Sequence, residues 1–213
     1  LGAIDIGAQN LSLTATAGSI LDDGSNATVV AANGATLVAG AGIGAAGANN
    51  EIDTAVTTLT ATAAAGSVFL READSITLST VSAAGAGNDV TVANATGTMT
   101  VNNVSAPDQV SLTSTTGDIV DDGVNGTVIG ATSATLTAGT SIGAGGANGQ
   151  IDTAVTVLTA SAAAGSVFVG ELDAVTLQSV TAAGAGSDVT VANASGNLTV
   201  VAVSAVDAVS LTA

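Results

Sequence analysis

Carboxylates carry almost all the chemistry this sequence could perform. Seven of them, Asp22, Asp23, Asp53, Glu72, Asp74, Asp89 and Asp108, recur 99 positions later in the chain. There is no His and no Cys, which excludes an imidazole base, a thiolate nucleophile and any metal site built on those ligands. Pairs such as Asp22 with Asp23, or Glu72 with Asp74, have the composition of a glycosidase pair, in which two carboxyl groups flank the scissile bond. Their duplication argues against that chemistry, because a catalytic centre is built once whereas a structural position is copied with its repeat. No catalytic residue is assigned, and an enzyme is not expected.

Hard oxygens gathered in short loops suggest calcium instead. One candidate is Asp22-Asp23-Gly24-Ser25-Asn26, with its copy at Asp121 and Asp122. The other is Gly85-Ala86-Gly87-Asn88-Asp89, with its copy ending at Asp188, which resembles one turn of the Gly-Gly-x-Gly-x-Asp calcium-binding β-roll. A β-roll shares each ion between tandem nonapeptides, and here each stretch stands alone. The six aspartates are therefore candidate calcium ligands set against a plainer expectation, an Asp turn bonded to its own backbone at a corner. Asp53 and Asp152 are expected to be structural. Arg71, replaced by Gly170 in the second copy, is expected to be an exposed partner of Glu72 or Asp74. Asn-x-Ser/Thr sequons occur at Asn10, Asn26, Asn94, Asn103, Asn125, Asn193 and Asn197, in a chain where Ser and Thr are common enough to create them by chance.

The elements that must position these residues are repeats. Leu11 to Ala17, followed by Gly18-Ser19-Ile20 and Asp22-Asp23-Gly24, returns as Val110 to Thr116 with Gly117-Asp118-Ile119 and Asp121-Asp122-Gly123. Between residues 11–109 and 110–208, 64 of 99 positions are identical, so the chain is an array. It divides into the end of a preceding repeat (1–10), two full repeats (11–109 and 110–208) and the start of a third (209–213). Short alternating stretches start at Leu13, Leu37, Leu59, Leu78, Val92 and Leu112, separated by 24, 22, 19, 14 and 20 residues. Each reads as a strand followed by a Gly, Ala or Asn-rich turn.

A repeat of this length fits tandem immunoglobulin-like sandwiches or a parallel β-helix with about five coils per repeat. A sandwich needs a bulky two-sheet core and linkers, yet the chain has no linker, two Phe, no Trp and no Tyr. The expected fold is therefore all-β, a β-solenoid. Its interior is thin, with Leu11, Leu13, Ala15, Ala17, Leu59, Ala61, Ala63, Leu158, Ala160 and Ala162 inside and Thr14, Thr16, Thr60 and Thr62 outside. Phe69 and Phe168 are expected to fill a wide corner of the core.

One basic residue against 17 acidic ones gives a net charge of −16, which opposes nucleic-acid binding because phosphates demand clustered Lys and Arg. No apolar run reaches the roughly 18 residues of a membrane span, so membrane insertion is not expected. The lack of Cys fits either an exported protein or plain drift in a Thr, Ser and Ala-rich sequence, while the near absence of Lys beside so much Thr, Ser, Asn and Gly leans toward export.

The succession AGSILDDG, ATLVAGAGIG, EIDTAVTTLTA, GSVFLREADSITL and GTMTV resembles the haemagglutinin-type repeats of filamentous-haemagglutinin-like proteins. The resemblance implies a parallel β-helix in a large exported bacterial surface protein, often an adhesin. The expected function is a rod-like structural segment of an extracellular filament or adhesin, extended by intrachain or homotypic end-to-end stacking, with host or cell-surface glycans as possible ligands. The alternative is a ligand-binding β-solenoid whose outer Thr rows meet ice or polysaccharide, or whose adhesion depends on calcium. The uneven coil spacing speaks against a flat array.

Overall fold

The computed structural model describes all 213 residues except Thr28, Ala48, Thr127 and Ala147. Among the described residues there are nineteen strands and no helix, and every strand pairing is parallel. Each strand bonds to the one a full turn ahead, so the chain winds as a β-solenoid of about nine turns. Tandem sandwiches are thereby excluded, since their strands run antiparallel.

Two columns of strands form the walls. In one, Leu13 pairs with Leu37, Leu37 with Ala61, Ala61 with Val81, Val81 with Val104 and Val104 with Ile129. In the other, Ile52 pairs with Leu70, Leu70 with Val92, Val92 with Leu112 and Leu112 with Leu136. The two series interleave along the chain, so each turn contributes to both walls, and long strands such as Ile52–Ala63 and Ile129–Ala138 pass from one wall to the other. Turn length follows from the registers: 24 residues from Leu13 to Leu37, 24 to Ala61, 20 to Val81, 23 to Val104 and 25 to Ile129.

This corrects the count of five coils per repeat. Leu78 pairs with Val101 in the first wall, whereas Val92 belongs to the second. The 14-residue step between them is half a turn, and the other four steps are whole turns. A 99-residue repeat therefore holds four and a half turns, and equivalent residues of the two copies stand on opposite walls.

Alternation sorts the side chains. Ile52–Ala63 and Ile151–Ala162, the longest strands, bury Leu59, Ala61 and Ala63, and Leu158, Ala160 and Ala162, while Thr60, Thr62, Thr159 and Ser161 face outward. Rows of Leu, Ile, Val and Ala from both walls merge into one hydrophobic core. Two expectations fail here. Ala17 is exposed, as is Thr116 in its place, because the strand ends before it and the chain is already turning. Phe69 and Phe168 lie on the outward phase between buried Val68 and Leu70, and between Val167 and Val169, so they do not fill a core corner.

Unequal turn lengths are absorbed outside the walls. Ile43 and Ile52 both sit over the strand Val68–Glu72, opposite Val68 and Leu70, and the described residues between them leave the wall after Gly44 and return at Ile52. The exit is tight: a Cβ on Gly44, whose φ is +65°, would lie 2.3 Å from the Phe69 carbonyl oxygen, and Gly143 meets Phe168 in the same way at 2.4 Å. Only glycine fits both the left-handed backbone and that approach. The Phe168 ring lies against this excursion, within 4 Å of where a Cβ on Gly145 would stand.

Candidate functional site

The acidic loops resolve into backbone caps. Asp22 Oδ2 accepts the N–H groups of Gly24 (2.8 Å) and Ser25 (3.2 Å), and Asp23 Oδ1 accepts that of Ser25 (3.1 Å). In the second copy Asp121 Oδ2 accepts Gly123 N–H (2.7 Å) and Asp122 Oδ1 accepts Val124 N–H (2.9 Å). Asp89 and Asp188 reach across one turn, accepting the N–H of Gln109 and of Ala208 at 3.1 Å each. Asx turns and turn-to-turn ties account for this geometry. Among the described residues no three Asp or Glu side chains gather into one candidate metal site. Burial raises the pKa of Asp121, whose Oδ1 is enclosed without a partner.

A buried polar row escaped the sequence reading. Along the second wall the inward register runs Thr54, Glu72, Asn94, Ser114, and all four side chains are buried. Glu72 Oε2 accepts the Thr54 hydroxyl at 2.7 Å, and Oε1 accepts the N–H of Val56 (3.2 Å), Ala73 (3.0 Å) and Asp74 (3.4 Å). The glutamate thus supplies acceptors where strand 52–63 passes from one neighbour to the next and the ladder leaves Val56 without a carbonyl. Glu171 repeats the arrangement with Thr153, Val155, Leu172 and Asp173. Burial outweighs these bonds and pushes the Glu72 pKa up to about 7, and it raises that of Glu171. The Thr54 hydroxyl also lies 3.3 Å from the Arg71 carbonyl oxygen. An ionised Glu72 can accept from Thr54, and a protonated one can donate to it while Thr54 turns to Arg71. A signal for this row was present: Val68, Leu70 and Glu72 share one face of a strand.

Arg71 has a different partner from either expected. It pairs with Asp53, Nη1 to Oδ1 at 3.4 Å, with its side chain 44 % exposed and that of Asp53 only 5 %. Burial raises the Asp53 pKa and the guanidinium beside it opposes the rise. At the equivalent place in the second copy Gly170 leaves an open cleft of about 320 Å³, whose lining includes Gln150, Asp152, Thr153, Glu171 and Asn193. Burial and the nearby Asp122 raise the Asp152 pKa, while the Gly126 N–H favours the ionised form.

The outer walls carry hydroxyls in register. One wall presents Ser12, Thr36, Thr60 and Thr80 in consecutive turns. The other presents Thr91, Ser111, Thr135, Thr159 and Ser179, beside a second row of Thr113, Thr137, Ser161, Thr181 and Ser204. Uneven turn length does not spoil these arrays, because the extra residues loop out elsewhere. The sequon residues Asn94 and Asn193 are buried, while Asn10, Asn26, Asn103, Asn125 and Asn197 are exposed. Thr28 and Thr127, which complete the sequons of Asn26 and Asn125, lie outside the described residues.

No family model, curated protein or solved structure matches this chain.

Proposed function

We propose that this chain is a rod-like structural segment of an exported surface or filament protein of the filamentous-haemagglutinin-like type, serving as a spacer or adhesive shaft without a catalytic step. The observation that carries this reading is the unbroken parallel stack: the strand pairing passes from residue 4 to residue 212 with no linker between the repeats. A solenoid of this kind lengthens by adding turns, each burying its face on the last. The lack of Cys and of any Lys-rich surface suits an oxidising, extracellular location. Antibodies against this segment should label intact, unpermeabilised source cells or their shed filaments. Labelling only after permeabilisation would refute the exported role.

A second reading, a ligand-binding solenoid for ice or polysaccharide, has one observation in its favour. The double hydroxyl row from Ser111 and Thr113 to Ser179 and Thr181 spans four consecutive turns, with spacings of about 4.8 Å between turns and about 6.7 Å along a strand. Thermal hysteresis by the purified chain, abolished by Thr135→Tyr with Thr159→Tyr, would favour this reading for ice. Glycan-array binding lost in the same variant would favour it for polysaccharide, and activity in neither assay would leave the rod reading alone.

A further inference from the structure

We propose that the cleft at Gly170 is a binding site for a guanidinium group, carried by an arginine side chain or a small guanidine. The molecule contains its own precedent. In the first copy the place of Gly170 is taken by Arg71, whose guanidinium is held by Asp53. In the second copy the surroundings are kept and the cation is gone: Asp152 stands for Asp53, Thr153 for Thr54, Glu171 for Glu72 and Asn193 for Asn94.

The cleft left behind sets two side-chain acceptors, of Asp152 and Gln150, over a lining that also includes Gly126, Leu172, Ala192 and Ala194. A Cβ built on Gly170 would lie 2.6 Å from Asp152 Oδ1 and 3.3 Å from Gln150 Oε1, so both oxygens lean over the space that the Arg71 stem occupies in the first copy. Glu171 forms the floor, its carboxyl group engaged by Thr153, Val155 and Leu172. A guanidinium offers five N–H donors in a plane and no acceptor, which suits the Asp152 and Gln150 oxygens that stand over Gly170. An ammonium is a compact charge that keeps its water more tightly. The net charge of −16 draws cations toward the whole surface, so specificity rests on the cleft, and the internal copy at Arg71 blocks the equivalent place on the opposite wall.

The test uses the 213-residue chain at 150 mM NaCl, with methylguanidinium, a Gly-Arg-Gly peptide and a Gly-Lys-Gly peptide as probes in titration calorimetry or NMR. The expected result is one saturable site for a guanidinium probe, at least tenfold tighter than for Gly-Lys-Gly. Preference for methylguanidinium or for the peptide distinguishes a small guanidine from an arginine side chain. Gly170→Arg should abolish binding by restoring the internal pair, and Asp152→Asn should weaken it at least tenfold. Arg71→Gly should open the first-copy cleft and raise the stoichiometry from one to two. Should Gly170→Arg lose the β-sheet circular dichroism of the parent chain, Asp152→Asn and Arg71→Gly decide between them. Absence of saturable binding, binding indifferent to Asp152→Asn, or a stoichiometry fixed at one in Arg71→Gly overturns the proposal.

Discussion

Leu13 and Leu112 are equivalent in the 99-residue repeat and stand on opposite walls: Leu13 pairs with Leu37, and Leu112 with Val92 and Leu136. Four and a half turns make each repeat the screw-related image of the one before. Features copied by duplication, including the tight exits at Gly44 and Gly143 and the Arg71 and Gly170 positions, therefore alternate sides. Two repeats restore the original side.

The half-turn is directly testable because the chain has no native Cys. Thr77 pairs with Thr100, and Thr91 with Phe69 and Ser111 on the other wall. Pyrene attached to Thr77→Cys and Thr100→Cys should give strong excimer emission, since paired residues of adjacent strands lie about 5 Å apart. The pair Thr77→Cys and Thr91→Cys should give none. Excimer from the second pair would restore a whole turn between Leu78 and Val92.

Glu72 predicts a stability that falls as pH rises. Its pKa is raised from 4.5 to about 7 by burial, so the folded state holds the proton more tightly than the unfolded one. That contribution is fully present below about pH 4.5 and is lost as pH rises through 7. Glu171, Asp53, Asp121 and Asp152 are shifted in the same direction. Melting temperature should therefore be higher at pH 5 than at pH 8. Glu72→Gln retains an acceptor oxygen and mimics the protonated form, so it should raise stability at pH 8 by up to about 3 kcal/mol and flatten the profile. An unchanged pH slope in Glu72→Gln would show that the carboxyl group is not the titrating element.

The solenoid was legible in the sequence because two periodicities agree: alternation within Leu11–Ala17 or Leu59–Ala63, and the 99-residue copy. The half-turn was not, because Leu78 and Val92 present the same apolar-polar-apolar text whichever wall they serve. Only pairing distinguishes them. The partner of Arg71 was hidden for a related reason. Glu72 and Asp74 are its neighbours in sequence, but Glu72 points inward and Asp53 is reached across one turn through the register Asp53 to Arg71. The cleft at Gly170 was visible only as a substitution between copies, and its shape depends on what the missing side chain had filled.

Core and surface positions of one strand should respond in opposite order to substitution. Ala61 is fully buried, packed between Leu37 and Val81 of the turns on either side. Ala61→Leu adds three carbons where neighbouring turns cannot separate, and it should cost about 1–3 kcal/mol. Thr60→Ala removes an outward hydroxyl from the same strand and should stay within about 0.5 kcal/mol. Urea unfolding of the two variants checks the order, and a larger loss for Thr60→Ala would invert the assigned phase.

In the last turn Val200, Val201, Val206 and Val209 are between 48 % and 58 % exposed. The strands Leu198–Val200, Val203–Ala205 and Val209–Thr212 are paired to the preceding turn only. In the purified 213-residue chain their outward N–H and C=O groups form an edge that templates a further strand, and a second copy stacked there would also cover the valines. Contact between the last turn of one copy and the first of the next is heterologous and does not close, so it yields filaments rather than dimers. Opposing this is the charge of −16, which keeps the rods apart at low salt but is screened beyond about 8 Å at physiological ionic strength. Light scattering of the purified chain should show linear growth as NaCl rises from about 10 mM to 150 mM, the Debye length falling from about 30 Å to about 8 Å over that range. Val201→Lys with Val206→Lys, which place charge on the end without touching the walls, should suppress that growth. A chain that stays monomeric at every salt concentration, or growth indifferent to the two lysines, would remove end-to-end stacking from the proposed assembly.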